Sequence, residues 1–290
     1  MEDYILRATV EGSVRIFVAT TKILVEKSRQ LHNTTPVATA ALGRLLTASA
    51  MMGMTLKNDT DIITTTLKGD GDIGGIVATT DSESKVKGYA YNPHIEVSFN
   101  KAGKLNVGGA IGAGTLTVTK DLGLKEPMSG QIELISGEIA EDLTYYFATS
   151  EQTPSSVALG VLVDVDNSVK QAGGFILQIM PDAKEEVIVH LENLLPTLPS
   201  VTTLLEQGNS PEDILKILFG DLDITIHDKI YPEYFCNCSE EKTRKALISV
   251  GKKELELILK EDKQANIHCH FCNKDYNFSE DTISELIANL

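Results

Sequence analysis

Two short stretches near the C-terminal end, Y234-F-C-N-C-S-E-E-K242 and N266-I-H-C-H-F-C-N-K274, hold all four cysteines of the 290-residue chain. Cys236 and Cys238 stand one residue apart, and thirty residues later Cys269 and Cys272 stand two apart. Zinc takes four ligands in a tetrahedron, and thiolates suit it because they are soft and readily deprotonated on a metal. A C-x-x-C turn places two sulfurs on one side of the chain. C-x-C does the same when the backbone is extended, because residues i and i+2 of a strand share a face. All four cysteines lie within 37 residues, which favours one shared site over four unrelated buried thiols.

A purely structural zinc site is the stronger rival. The C-x-C spacing tilts against it, since most structural zinc modules use two pairs with wider spacing. A C-x-C pair can also close on itself as a small, strained disulfide, and strained disulfides tend to be the labile, regulatory kind. C-x-x-C can close likewise. Each half-site can therefore clamp a metal or form a local disulfide, but not both, and oxidation would expel the metal. Structural zinc contributes on the order of 10–16 kcal/mol in small zinc-finger peptides, much of it folding free energy. The block 231–290 is too short to carry much core of its own. Loss of the metal is therefore expected to unfold it. His268 and His270 flank Cys269 and could each replace a thiolate. Four cysteines already complete the shell, so these histidines read as surface or supporting groups.

Working outward, residues 181–230 form an acidic helical linker with ten acids against three bases. AKEEVIVHLENLLP sets Val187, Leu191, Leu194 and Leu195 at helical spacing. SPEDILKILFG starts with Ser210 as N-cap, Pro211 at the first helical position and Asp213 in a capping-box position, and presents Ile214, Ile217 and Leu218 on one face. Helices this short are marginal alone in water and need a surface to lie on. If their support were lost, these apolar stripes would become available to other apolar surfaces.

Residues 1–180 read as an α+β domain dominated by short antiparallel strands. ILRATVEGSVRIFVATT has a hairpin pattern around Glu11-Gly12. TTPVATAALGRLLTASAMMGMTLK reads as a helix, with Thr35 as N-cap and Pro36 in the first turn. IITTTLKGD, GIVATT, KVKGYAYN, HIEVSFN, TLTVTKDLG and GQIELISG are short β-type runs. SSVALGVLVDVDNSVKQAGGFILQIMP reads as two buried strands around an Asp166-Asn167 turn. In the last block, residues 239–249 and 252–261 are expected as helices broken at Gly251, ANIHC and YNF as short strands, and SEDTISELIANL as a helix capped by Ser279.

The remaining signals mostly exclude. A net charge of −15 repels phosphate backbones, so nucleic-acid binding is not expected. No apolar stretch reaches the ~20 residues of a membrane-spanning helix, and the N-terminus lacks the basic start and apolar run of a secretory signal. The expected location is the cytoplasm, where thiols are kept reduced. Gly69, Gly71 and Gly74 match G-x-G-x-x-G, but a β-type run follows instead of the helix that a dinucleotide site needs. GGAIGAG at 108–114 reads as a loop, and Asp164–Asn167 as a hairpin turn. No nucleotide-driven or hydrolytic motif is present.

With these motifs in view, the chain resembles the redox-regulated heat-shock protein 33 family of bacterial zinc-dependent holdase chaperones. The C-x-C/C-x-x-C array with NIHCHFCNKDYNF carries the likeness. ATAALGRLLTAS, the KGDG turn, GTLTVTKDLG, SGEIAEDLTYYFATSEQTPSSVALGVLV and AGGFILQIMP extend it over nearly the whole chain. The resemblance implies an ATP-independent chaperone of the stress response, not an enzyme, which is inactive while reduced and loaded with one zinc ion. On oxidation, Cys236 would pair with Cys238 and Cys269 with Cys272. Zinc would leave, the linker would unfold, and oxidised molecules would associate as homodimers that hold unfolding client proteins. The client surface is assigned broadly to the linker residues named above and the apolar surface beside them. Two other readings remain: a thiol–disulfide oxidoreductase working through C-x-x-C, and an adaptor whose zinc never cycles.

Overall fold

Strands β1 (Tyr4–Val10) and β2 (Val14–Thr20) form the hairpin expected around Glu11-Gly12 in the computed structural model, which describes residues 2–290. Glu11 and Gly12 both take left-handed φ angles, 53° and 65°, as a tight hairpin turn requires. Next come helices α1 (Lys22–His32) and α2 (Pro36–Gly53). The chain then runs through β3 (Ile62–Gly69), β4 (Gly75–Asp81), β5 (Lys85–Ala90), α3 (Val107–Ile111), β6 (Gly114–Asp121), β7 (Met128–Glu133), α4 (Ala140–Thr149), β8 (Ser155–Val163) and β9 (Val169–Ile179). Helices α5 (Glu185–Leu194), α6 (Val201–Glu206) and α7 (Pro211–Phe219) follow, and then β10 (Ile224–Ile230) and β11 (Glu233–Tyr234). A second compact unit, Cys236–Leu290, holds α8 (Glu240–Ser249), α9 (Lys252–Glu261), β12 (Ala265–Cys269), β13 (Lys274–Phe278) and α10 (Glu280–Ala288).

The first unit contains two sheets, in the orders β10-β1-β2-β9-β8 and β11-β5-β4-β3-β6-β7. Every pairing in them is antiparallel except β11 with β5. Helix α2 is apolar all round, and nearly every residue in it is buried, as its Ala-, Leu- and Met-rich sequence implies. It packs in one core with Ile5, Phe17 and Ile176 of the first sheet and Ile63, Leu67 and Ile76 of the second. The opposite face of the first sheet makes another core. There Leu6, Ile16, Val18, Phe175 and Leu177 meet Val187 and Leu191 of α5, Leu204 and Leu205 of α6, and Ile214, Leu215, Leu218 and Phe219 of α7. Because β1, β2 and β9 are covered on both faces, their sequences are near-continuous apolar runs instead of clean alternations.

The stretch read as a linker, 181–230, thus supplies a helical layer over a sheet. Its strand β10 adds to that sheet beside β1. Ser210 and Asp213 form the expected capping box, with Asp213 N–H donating to Ser210 Oγ at 3.2 Å and Ser210 N–H to Asp213 Oδ2 at 3.0 Å.

Three local expectations need correction. HIEVSFN, which follows Pro93, forms no strand; it turns back on itself, with an isolated bridge from Phe99 to Leu105 and Asn100 N–H donating to the Lys104 carbonyl at 2.7 Å. GGAIGAG is not purely a loop, since α3 covers its first half, capped by Asn106, whose side chain accepts from Gly109 N–H. Strand β8 is half-buried along most of its length because it is a sheet edge. Gly69, Gly71 and Gly74 line the β3–β4 turn, and a Cβ at Gly69 would lie 1.9 Å from the Ile111 carbonyl oxygen. Close approach of two backbones explains Gly69 and Gly71, and a left-handed φ of 67° explains Gly74, without a phosphate. Asp164–Asn167 is the expected hairpin turn, with Asn167 N–H donating to the Asp164 carbonyl at 2.9 Å and Asn167 at a φ of 67°.

Candidate metal centre

The second unit has a small core: Leu247, Leu255, Phe278, Ile283 and Leu286 are its buried apolar side chains. Four sulfurs gather beside it. The segment Phe235–Ser239 has no regular structure. Its exposure alternates, with Asn237 exposed and Cys236 and Cys238 half-buried, so the two sulfurs share a face as C-x-C requires. Ser239 then caps α8 by accepting from Lys242 N–H at 3.2 Å, which fixes the chain leaving Cys238. The other pair sits on the β12–β13 hairpin. Cys269 ends β12, and its carbonyl accepts from Cys272 N–H at 3.2 Å and from Asn273 N–H at 2.8 Å; Asn273 takes a φ of 55° to close the turn. That turn swings Cys272 back to the side of Cys269.

The four Sγ atoms lie within 4.8 Å of one another. Cys236 Sγ is 3.7 Å from Cys269 Sγ, and Cys238 Sγ is 3.2 Å from Cys272 Sγ. These separations are far longer than the ~2.05 Å of a disulfide, and all four cysteines are free. A zinc–sulfur length of about 2.3 Å implies tetrahedron edges of roughly 3.8 Å. The cluster therefore has the donor set and approximate dimensions for one tetrahedral thiophilic metal ion.

Electrostatics point the same way. Burial pushes the Cys238 thiol up. Hydrogen bonds from Tyr276 and the other sulfurs outweigh that and hold it down at about 7. Burial raises Cys236, and contact with Cys238 and Cys269 raises it further. Cys272 is pushed well above the ordinary thiol value, first by burial and then by its contact with Cys238. One thiolate is thus favoured, and each further negative charge is opposed by its neighbours. A cation among the sulfurs would remove that opposition. Tyr276, on β13, donates its hydroxyl to Cys238 Sγ at 3.1 Å. Sequence reading did not single it out, although its place two residues before the buried Phe278 on a strand was a usable sign.

His268 and His270 lie outside the sulfur cluster; His268 Nδ1 pairs with Asp275 Oδ1 at 2.7 Å, and the two imidazoles meet edge to face. Of the apolar linker residues read from helical spacing, Val187, Leu191, Ile214 and Leu218 are buried against the first sheet, Leu194 and Leu195 are half-buried, and Ile217 is 37% exposed. The spacing did not reveal what they cover. That is the sheet face of Leu6, Ile16, Val18, Phe175 and Leu177.

The family model described as Hsp33 protein matches residues 3–279. The chain belongs to the Hsp33 family. Among its Hsp33 relatives, the 33 kDa chaperonin of Clostridioides difficile is 54% identical, with both chains covered completely. That of Agathobacter rectalis is 52% identical over 99% of this chain and 100% of its own. The crystal structure of the 33 kDa chaperonin from Thermotoga maritima superposes with a TM-score of 0.91 at 39% identity, covering 100% of this chain and 99% of the other. Membership of the Hsp33 family gives the protein a chaperone role and the binding of client proteins. Among the described residues, no helix is long and apolar enough to cross a membrane.

Proposed function

We propose that this Hsp33 protein is a cytoplasmic, ATP-independent holdase switched by oxidation, and that Cys236, Cys238, Cys269 and Cys272 hold one zinc ion in the reduced, inactive form. The observation that carries this reading is the four-sulfur cluster in a unit with so small a core. Bound zinc would supply charge neutralisation for four thiolates and a crosslink between the Cys236–Cys238 segment and the β12–β13 hairpin.

Oxidation uses the same sulfurs. Two thiols give up two electrons and two protons to one peroxide, forming an S–S bond and two waters. Pairing Cys236 with Cys238 and Cys269 with Cys272 consumes two peroxides and leaves no thiolate donor. Cross pairing is geometrically close, yet it would close loops of 33 and 34 residues once the unit loosens. Relative to the local pairs, that costs about 2 kcal/mol in loop-closure entropy. The chain leading into Cys236 is β10, paired with β1 along its length, and β11, paired with β5 over two residues; both join the helical layer to the second unit in the chain. Unfolding of the second unit frees this tail. Helices α5–α7 then lift, and the apolar face of β1, β2 and β9 becomes the client surface together with the helices' own stripes. Such exposed faces also bring oxidised molecules together as dimers.

An oxidoreductase would place C-x-x-C at the start of a helix, where the dipole activates the first thiol. Here Cys269 ends a strand and Cys272 lies in a turn. No nucleotide, nucleic-acid or membrane partner enters the proposal. The test is to add peroxide with mild heating while following zinc with a chromogenic chelator, aggregation of an unfolding client by light scattering, and disulfides by peptide mapping. Metal release, holding activity and the two local disulfides should rise together. Holding activity in the fully reduced, zinc-loaded protein, or cross-linked 236–269 and 238–272 peptides, would overturn it.

A further inference from the structure

Tyr276 is a side chain outside the four cysteines whose hydroxyl reaches one of the sulfurs. Its ring packs on the small core of the second unit, while its hydroxyl donates to Cys238 Sγ at 3.1 Å. Packing accounts for an aromatic residue at this position, but not for a hydroxyl aimed at a sulfur.

We propose that Tyr276 is a positioning residue of the metal centre, whose hydroxyl withdraws charge from Cys238 Sγ and slows attack of that sulfur on peroxide. This rests on reading the four cysteines as a redox-labile zinc site. The step is a displacement: Cys238 thiolate attacks one peroxide oxygen, the O–O bond breaks, and sulfenic acid and hydroxide form. A neighbouring thiol then displaces water from the sulfenic acid to complete a disulfide. A metal-held sulfur is already deprotonated, so the hydroxyl cannot speed the reaction by creating more thiolate. What remains is the reduced electron density on sulfur. With a Brønsted slope of about 0.4–0.5, a donor that lowers basicity tenfold lowers nucleophilicity about threefold. Hydrogen bonds to metal ligands tune sites in this manner generally.

Tyr276→Phe keeps the ring and removes only the hydroxyl. The experiment uses the full-length, zinc-loaded variant and wild type, with equal zinc content and matching circular dichroism established first. Zinc release under peroxide is followed by a chromogenic chelator, and sulfenic acids are trapped with a dimedone-type reagent and assigned to each cysteine by mass spectrometry. The variant should release zinc about threefold faster, with the gain in trapped sulfenic acid concentrated at Cys238. An unchanged or slower rate, or a gain spread evenly over the four cysteines, overturns the role given to Tyr276 while leaving the switch intact. Wild type that keeps its zinc under peroxide overturns both.

Discussion

Tyr4 on β1 donates its hydroxyl to the carboxylate of Glu212 on α7, and Lys229 Nζ on β10 lies 3.7 Å from the centre of the same ring. Three segments meet here: the core sheet, the helical layer over it, and the strand that leads toward the second unit. Burial first, then the accepting Glu212 carboxylate and its charge, push the Tyr4 hydroxyl well above the ordinary phenol value, so it stays a donor at any physiological pH. Tyr4→Phe leaves the ring in place and removes the bond. Glu212 is partly exposed, so water can replace the donor and the loss is about 1 kcal/mol. Hydrogen exchange at the α7 amides of Leu215 and Leu218 should speed up about fivefold, a ratio equivalent to that energy, with β9 unaffected. Equal exchange in variant and wild type would remove Tyr4–Glu212 from the account of how the layer is held.

Neighbouring residues on α7 should behave differently. Leu218 is fully buried, whereas Ile217 is 37% exposed. Leu218→Ala opens a cavity between α7 and the sheet and should cost about 2–5 kcal/mol. Ile217→Ala should stay within about 0.5 kcal/mol. Urea unfolding of the reduced, zinc-loaded protein separates the two. In the proposed switch a weakened layer lifts more readily, so Leu218→Ala should also suppress client aggregation without oxidant. Comparable destabilisation by both substitutions would mean that the helical face has been assigned wrongly.

Much of this was legible in the sequence because the signals were local. The Cys spacing, the Ser210/Asp213 capping box and Pro36 each act within a few residues of themselves. Helix α4 was missed although its signal is local, because an apolar residue stands at its N-cap: Ile139 sits at a φ of 68°, and the N-terminus is held by Asp142, which accepts from the backbone of Ile135, Ser136, Gly137 and Ile139. Strand β10 was missed because ITIHDKI is half polar and becomes a strand only through its partner β1, more than two hundred residues earlier in the chain. The sheet face beneath α5–α7 was hidden likewise. Leu6, Ile16 and Phe175 look like any buried strand residues until tertiary structure separates the α2 side from the α5–α7 side.

Acid should loosen one particular joint. Glu26 on α1 accepts from Arg29 in a two-pronged pair, from Gln30 Nε2 at 2.8 Å and from Val169 N–H at 2.9 Å, at the start of β9. The Arg29 hydrogen bonds, opposed by partial burial, lower its pKa from 4.5 to about 2. A carboxylate held low in the folded state stabilises fully above its unfolded pKa and loses that contribution as pH falls toward the folded value. Glu26→Gln should therefore cost about 1–2 kcal/mol at pH 7, discounted for its partial exposure, and only a small remnant of that near pH 2. Urea midpoints of variant and wild type should converge as pH falls from about 5 to 2. A gap that does not change with pH would show that the charge of Glu26 carries none of it.

Removing the metal by chelation under reducing conditions separates zinc from disulfide chemistry. The second unit keeps five buried apolar side chains without its crosslink, far fewer than the two cores of the first unit. Zinc contributes on the order of 10 kcal/mol or more in modules of comparable size, which exceeds what so small a core supplies. Chelation at neutral pH should therefore abolish protection from hydrogen exchange in α8, α9 and α10, while amides of α2 and β9 keep theirs. Re-adding zinc to the reduced chain should restore protection without any enzyme or nucleotide. In the proposed switch the unfolding of the second unit, and not the disulfides themselves, frees the chain ahead of Cys236, so chelation alone, without oxidant, should also raise holding activity. Full protection of α8–α10 in the metal-free, reduced protein would break the link between the sulfurs and the fold of this unit.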